Sequence, residues 1–477
     1  MSSTLKRQTF SGVLWSALER FSVQGIQFIL SFVIARQLLP SDYGLIAMFS
    51  IFMAIAQRFV DSGFSNALIQ KQNRTDRDYS TVFHFNIAIG IIMYLLLIII
   101  SPAIASFYKQ PILEDIIIWV GLNLIINSFA TIQRTILTIQ LNFKRQALIS
   151  LIAVILSGSI AVYMALNGYG VWTLVVQGLL NSIINTLLLW ITSKWHPKLL
   201  FSVSSFKELF SFGSKILMSG LLHTIYTNIY TLIIGKIFPV KELGLYSKAS
   251  SLSQYPSTNI AGILDRALYP VLCRFQNEDQ VLTEKFYIFI RLTAFCIFPL
   301  MIGLAVLSKP FVLLVLTEKW IEAVPYLQIL CIAYMWDPIM RMSWNLLNVK
   351  HRSDYSLKSE IIKKITAMIY LLLSIPFGIK AMCWGLVLYA LSDIIIILQF
   401  TNKILPEINI LNHLKNLYLP FLQSILMGIG VDLFIHFLVN PWFQLLGGII
   451  IGIIIYLLLS IIMCKKEFKY VFQLIKK

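Results

Sequence analysis

The chain has 477 residues, 58% of them hydrophobic and 13% charged, against about 45–50% and about 25% in a soluble domain. Its formal charge is +17, but the basic residues stand in small groups between apolar runs instead of forming one stripe, which argues against a nucleic acid partner. The apolar runs recur along the whole chain, each about 20 residues and enough to cross about 30 Å of hydrocarbon, so the predicted fold class is an all-α integral membrane protein.

The predicted helices lie at residues 11–36, 43–60, 81–100, 115–137, 148–166, 171–191, 209–238, 247–272, 286–307, 321–347, 361–375, 381–400, 417–438 and 443–463. Residues 1–10 are polar, and the first apolar segment is too long for the core of a signal peptide, so it is expected to stay in the protein. Loop charge tests the helix count, because alternate loops should differ in Lys and Arg. One set of loops, together with both termini, carries Lys71, Arg74, Lys144, Arg145, Lys194, Lys198, Lys285, Lys350, Lys358, Lys403 and Lys465, among others. The other set holds only Arg36, Lys109, Lys236, Lys241, Lys309, Lys319 and Lys380. Both termini are therefore expected in the cytoplasm, with an even number of spans.

The two halves also resemble each other at an offset of 200 residues: Phe10-Ser11 recurs as Phe210-Ser211, Ile34 as Ile234, Arg36 as Lys236, Asp42 as Glu242 and Gly44-Leu45 as Gly244-Leu245. Six helices per half, each half starting on the same side, make parallel repeats, and transporters built that way bind substrate between their halves. The expected organisation is an N-lobe over 1–193, a linker over 194–208, a C-lobe over 209–402 and two further helices with a tail over 403–477. The linker is basic and carries Trp195, Phe201 and Phe206, the composition of a segment lying in the membrane interface.

Polar groups inside apolar helices point to a lumen, because they are costly in hydrocarbon. Ser16, Arg20, Gln24, Gln27 and Ser31 fall at helical spacing on one face of the first helix, with Glu19 bordering it. Lys215, Ser219, His223, Tyr226 and Tyr230 repeat that spacing on the seventh helix, and Ser247, Ser251, Gln254 and Thr258 on the eighth. The second helix ends at Gln57-Arg58 and Asp61, the eighth at Asp265-Arg266. Among the deep cations are Arg20, Arg58, Arg134, Lys215, Lys248, Arg266, Arg291 and Arg341, a set suited to a phosphate-bearing headgroup. Snorkelling to the interface is the alternative for those near helix ends, and Asp337 with Arg341, four apart, can equally be a structural ion pair. Glu19, Asp61, Asp265 and Asp337 are the candidate carboxylates for a coupling ion, H+ or Na+. The five cysteines, Cys273, Cys296, Cys331, Cys383 and Cys464, are widely spaced, without a neighbouring His, so neither a metal centre nor another cofactor is expected. The short loops hold no nucleotide-binding or hydrolase motif, so no enzymatic activity is expected.

The stretches Ala35-Arg36-Gln37-Leu38-Leu39-Pro40-Ser41-Asp42-Tyr43-Gly44, Asp61-Ser62-Gly63-Phe64, Gly168-Tyr169-Gly170-Val171-Trp172, Gly244-Leu245-Tyr246-Ser247-Lys248-Ala249 and Lys319-Trp320 resemble the polysaccharide transporter family of O-antigen and teichuronic acid exporters. That family belongs to the multidrug/oligosaccharidyl-lipid/polysaccharide flippase superfamily. The resemblance implies a MATE-like fold of two six-helix lobes plus two helices. It also implies an undecaprenyl-diphosphate-linked glycan, an O-antigen, capsule or exopolysaccharide repeat unit, as the substrate. Such a unit would cross a bacterial cytoplasmic membrane by alternating access, with membrane lipid and other polysaccharide-assembly membrane proteins as partners. A multidrug or cation antiporter of the same superfamily is the alternative, disfavoured by the surplus of deep cations. A membrane polysaccharide polymerase would need a large external catalytic loop, and a scaffold would have no use for paired polar faces.

Overall fold

A computed structural model of the chain describes residues 23–465, 467 and 468, without the side chains of 212 and 263–267. Every regular element among the described residues is a helix. In chain order these are α1 (23–37), α2 (Pro40–Asp61), α3 (Phe64–Gln70), α4 (Asp76–Tyr108), α5 (Ile112–Ile139), α6 (Phe143–Leu166), α7 (Trp172–Thr192), α8 (Val203–Ile237) and α9 (Val240–Arg274). They continue as α10 (Asp279–Val306), α11 (Ser308–Val315), α12 (Val324–Tyr334), α13 (Asp337–Val349), α14 (Ser353–Ser374), α15 (Ile379–Asn402), α16 (Ile410–His436) and α17 (Pro441–Met463). Ten of the described elements are long and apolar enough to cross a membrane. Their exposed residues are the ones a lipid would cover: Ile99, Ile191 and Ile462 are 77%, 78% and 72% accessible, with backbone polar groups satisfied inside each helix.

Helix ends follow local chemistry. Thr75 opens α4 as a capping box: its Oγ1 accepts from the Asp78 N–H while the Thr75 N–H donates to the Asp78 carboxylate at 2.9 Å. Asn142, Asn409 and Asn440 cap α6, α16 and α17 through their side-chain oxygens. The tenth predicted helix is a correction. The chain breaks at Met335-Trp336 into α12 and α13, and Pro338, lacking an N–H, sits in the first turn of α13 where it starts a helix but cannot continue one.

The chain divides into two compact units, Met1–Gly244 and Leu245–Lys477. In the first, α4 and α5 pack along their length, and Phe64, Leu68, Phe83, Ile132 and Leu209 form a core that joins α3, α4, α5 and α8. In the second, Phe295, Met427, Val431 and Tyr456 join α10, α16 and α17. There the Tyr456 hydroxyl donates to the Phe295 carbonyl at 2.6 Å, giving the buried phenol a partner.

Basic loop residues are tied down at both ends of the first unit. At one end of the first unit, Lys71 meets Glu208 (2.8 Å) and Lys198 meets Asp76 (2.6 Å). At the other, Lys236 Nζ donates to the last-turn carbonyl of Phe107 in α4 (2.6 Å), where a cation suits a helix C-terminus.

The 200-residue repeat has a structural counterpart. Residues 31–40 and 231–240 share the same helix, break and restart, and Ile34 and Ile234 are both buried. A Cβ on Gly44 would collide with the Val240 carbonyl oxygen, and one on Gly244 with the Pro40 carbonyl oxygen. The repeated glycines are therefore where α2 and the first turn of α9 approach backbone to backbone. Gly244→Ala is expected to destabilise by about 1–3 kcal/mol, because the contact is with backbone and not with a side chain that can turn away. Gly178→Ala, with nothing within 4 Å of the added carbon, should be neutral or better. Thermal unfolding in detergent measures both, and equal midpoints would contradict the close approach.

Candidate functional site

The first unit holds a polar cavity of about 300 Å³ among its spanning helices. Four elements supply it by helical spacing: Gln27 from α1, Arg134 from α5, Gln146 and Ser150 four apart on α6, and Asn181 and Asn185 four apart on α7. Arg134 Nη2 donates to Asn185 Oδ1 at 3.0 Å. Gln146 Nε2 donates to the Arg134 carbonyl (3.2 Å) and to Thr138 Oγ1 (2.9 Å), which braces the α5–α6 corner beneath the guanidinium. Asn181 Oδ1 is buried without a hydrogen-bond partner, as is Gln24 Oε1 one turn from Gln27 on α1. A guanidinium offered beside carboxamides, in a wall otherwise made of Val23, Ile149, Val154 and Leu189, suits a ligand that combines an anionic oxygen with hydroxyl groups.

Among the predicted lumen residues, Ser16, Glu19 and Arg20 lie outside the described residues. Ser31 donates back to the Phe28 carbonyl of its own helix (2.9 Å). Arg58 Nε donates to Thr224 Oγ1 on α8 (3.0 Å), and Asp61 accepts from Gln57 (3.0 Å), with Arg58 and Arg134 the cations near enough to act on it. This brings the α2 end and Arg134 into one electrostatic neighbourhood. Lys215, Ser219 and His223 are exposed on α8, and Tyr226 is half-buried. Two residues before Lys215, Gly213 of α8 packs against Gly63 of the α2–α3 turn, where φ is +69° and an added Cβ would meet the Gly213 carbonyl oxygen at 2.6 Å.

In the second unit, Lys248 is 6% accessible on α9. Gln254 Nε2 donates to Ser250 Oγ (3.0 Å) and to the Tyr334 hydroxyl (2.7 Å), which ties α9 to α12. Asp265 and Arg266 are on α9 at side chains outside those described. Arg291 stands at a helix-end cluster, where its Nε meets Glu467 (3.0 Å) and its Nη1 donates to Asn416 on α16 (2.9 Å). Asp337 and Arg341 interact electrostatically in the first turns of α13, with Asp393 and Lys363 acting on the same carboxylate.

Sequence reasoning passed over Lys363 itself. Its Nζ lies 2.8 Å from Asp393 Oδ1, with the two side chains 6% and 7% accessible, and 3.2 Å from Glu360. The polar pairs Gln146 and Ser150 of α6 and Asn181 and Asn185 of α7 were also missed, although their spacing of four carried the same signal as the polar face of α8.

Spanning helices with a cation and carboxamides turned inward toward a cavity are the construction of a multi-pass membrane transporter. Residues 33–325 match the polysaccharide biosynthesis protein family, and the chain belongs to that family. It is 27% identical to the teichuronic acid biosynthesis protein TuaB of Bacillus subtilis over 96% of both chains. Its fold is similar to that of the lipid II flippase MurJ in an inward closed conformation, with a TM-score of 0.78 at 17% identity over 94% of this chain and 98% of that one. It also resembles an inward-facing multidrug resistance MATE family transporter, with a TM-score of 0.61 at 15% identity over 82% and 98%. The expected MATE-like, all-helical fold and the expected family are thus both found.

Proposed function

We propose that the protein is a flippase that moves an oligosaccharide linked to a polyprenyl diphosphate across a bacterial cytoplasmic membrane. The observation that carries this reading is the Arg134 cavity: one guanidinium for a phosphate oxygen, ringed by carboxamides and a hydroxyl for sugar hydroxyls, inside an apolar bundle. The polysaccharide-biosynthesis relative and the lipid flippase fold agree with such a cargo. The glycan and diphosphate enter polar space while the polyprenyl tail stays in lipid, and alternating access exchanges the side to which the cavity opens. The chain does no covalent chemistry on its cargo, and an H+ or Na+ gradient drives the cycle. The more basic loop set supports cytoplasmic termini, and other polysaccharide-assembly membrane proteins would hand over and receive the lipid.

Deleting the gene tests this. Lipid-linked oligosaccharide is expected to accumulate on the inner leaflet while surface polysaccharide disappears. Unchanged surface glycan with altered dye efflux would overturn the reading in favour of a multidrug antiporter.

A further inference from the structure

A second cavity, of about 650 Å³, opens where α4 and α6 begin and α5 and α7 end, at one end of the first unit. The extended strap after α7, residues 193–202, closes one side of it. That strap is held down at three points: the Lys198 N–H donates to Ser80 Oγ (3.1 Å), the Ser202 N–H donates to Thr81 Oγ1 (3.0 Å), and Lys198 Nζ pairs with Asp76 (2.6 Å). Trp195 of the strap stacks edge-on with Tyr79 and Phe83 at 6.0 and 5.9 Å. The cavity therefore sits at the level where aromatic rings mark the boundary between hydrocarbon and water.

Its lining is rich in donors that nothing satisfies. Gln133, 1% accessible, has neither its carboxamide nitrogen nor its oxygen bonded, and the Trp195 indole N–H is likewise buried without an acceptor. Buried polar groups are almost always paired, so an orphaned carboxamide and an orphaned indole on one cavity wall call for a ligand. Three cations, Arg145, Lys194 and Lys198, line the same space. Asp76 is occupied by Lys198, whereas Arg145 and Lys194 have no carboxylate in ion-pair range among the described residues. The Arg, Lys, indole and amide N–H groups donate only and outnumber the one orphaned acceptor, the Gln133 carboxamide oxygen, so the complementary ligand is an oxyanion. The cavity's volume and its place at the ends of four spans suit an anion attached to a lipid better than a small free ion.

We propose that this cavity binds the phosphate of a lipid headgroup, at a site separate from the Arg134 cavity. Arg145 and Lys194 neutralise the phosphate, Gln133 and Trp195 donate to its oxygens, and the strap holds Trp195 in place. The leaflet concerned, and the transported lipid as one of the two sources, rest on the function proposed above. The lipid is either a polyprenyl diphosphate waiting to be transported or a bulk anionic phospholipid, and both offer the same chemistry.

Native mass spectrometry of the delipidated full-length protein, titrated separately with farnesyl diphosphate, phosphatidylglycerol, inorganic pyrophosphate and the phosphate-free control diacylglycerol, tests it. At least one phosphate lipid is expected to bind more tightly than diacylglycerol and than pyrophosphate, and the tighter of the two identifies the source. Arg145→Ala with Lys194→Ala should weaken that binding about tenfold or more, the ratio lost with one charge-assisted contact, and Gln133→Leu should weaken it less. Neither cation leaves a stranded carboxylate, so the double variant should keep the wild-type unfolding midpoint, while Arg145→Lys should retain most of the affinity. Equal binding by wild type and double variant, or no preference for phosphate lipids over diacylglycerol, overturns the proposal. Because binding is read without transport, a protein that holds the lipid here yet flips nothing would refute the flippase reading alone.

Discussion

Lys363→Ala is expected to destabilise the second unit by about 3–5 kcal/mol, the cost of removing one partner of a buried ion pair. The ammonium is 2.8 Å from Asp393 Oδ1 between α14 and α15, and both side chains are almost wholly enclosed. Alanine would leave a carboxylate in a low-dielectric bundle, with Tyr370 committed to Ser392 at 2.8 Å on the same helix pair and Glu360 adding further negative charge. Replacing both partners, as in Lys363→Met with Asp393→Leu, removes the charges together and should restore most of the loss, since an apolar pair of similar volume is often no worse than the ion pair. Thermal unfolding of the purified protein measures this. A single variant no less stable than the double would mean that the pair contributes nothing through its charge.

Arg134→Ala should lower transport about tenfold or more without a comparable loss of stability, the effect of removing one charge-assisted contact worth about 1.5–3 kcal/mol. The guanidinium lines the cavity and donates to Asn185, a neutral partner, and the Asp61 carboxylate on which it also acts keeps Arg58 and the Gln57 carboxamide when Arg134 is removed. Arg134→Lys keeps the charge but loses the planar fork, and should lie between the two. If the alanine and lysine variants transport equally, the positive charge at this position is not what the cargo uses. Unfolding midpoints and transport rates measured on the same preparations separate a folding defect from a binding one.

Hydropathy was enough to read the helices. A spanning segment must be continuous and apolar, and from α2 onward the predicted segments meet a helix in the structure, lengthened at their polar ends, as at Asp76–Tyr108 where the prediction covers 81–100. The α12–α13 break was less legible because both sides are apolar, and only Pro338 marks it. The repeat at Gly44 and Gly244 was visible as identity, but its cause, two carbonyls pressed against missing Cβ atoms, belongs to tertiary packing. For the candidate site, charge was the signal that sequence reading followed, and it found Arg134 and the Gln27 face. Lys363 escaped because Lys363-Lys364 looks like the polar start of a helix, whereas α14 begins ten residues earlier, at Ser353. Arg291 reads as a lumen cation from its depth in an apolar run, and the structure gives it partners there that the sequence does not show. Its partners Glu467 and Asn416 are over a hundred residues distant in the chain, beyond what periodicity can report.

The most direct test of the central claim is reconstitution of the purified protein into vesicles carrying a fluorescent polyprenyl-diphosphate oligosaccharide confined to one leaflet. A membrane-impermeant glycosidase on the opposite side reads out the translocation. Wild-type protein is expected to expose the glycan to the enzyme at a rate that depends on an imposed H+ or Na+ gradient, and Arg134→Ala to slow that exposure toward the level of protein-free vesicles. Exposure no faster with the wild-type protein than without it, under either gradient, would contradict the account.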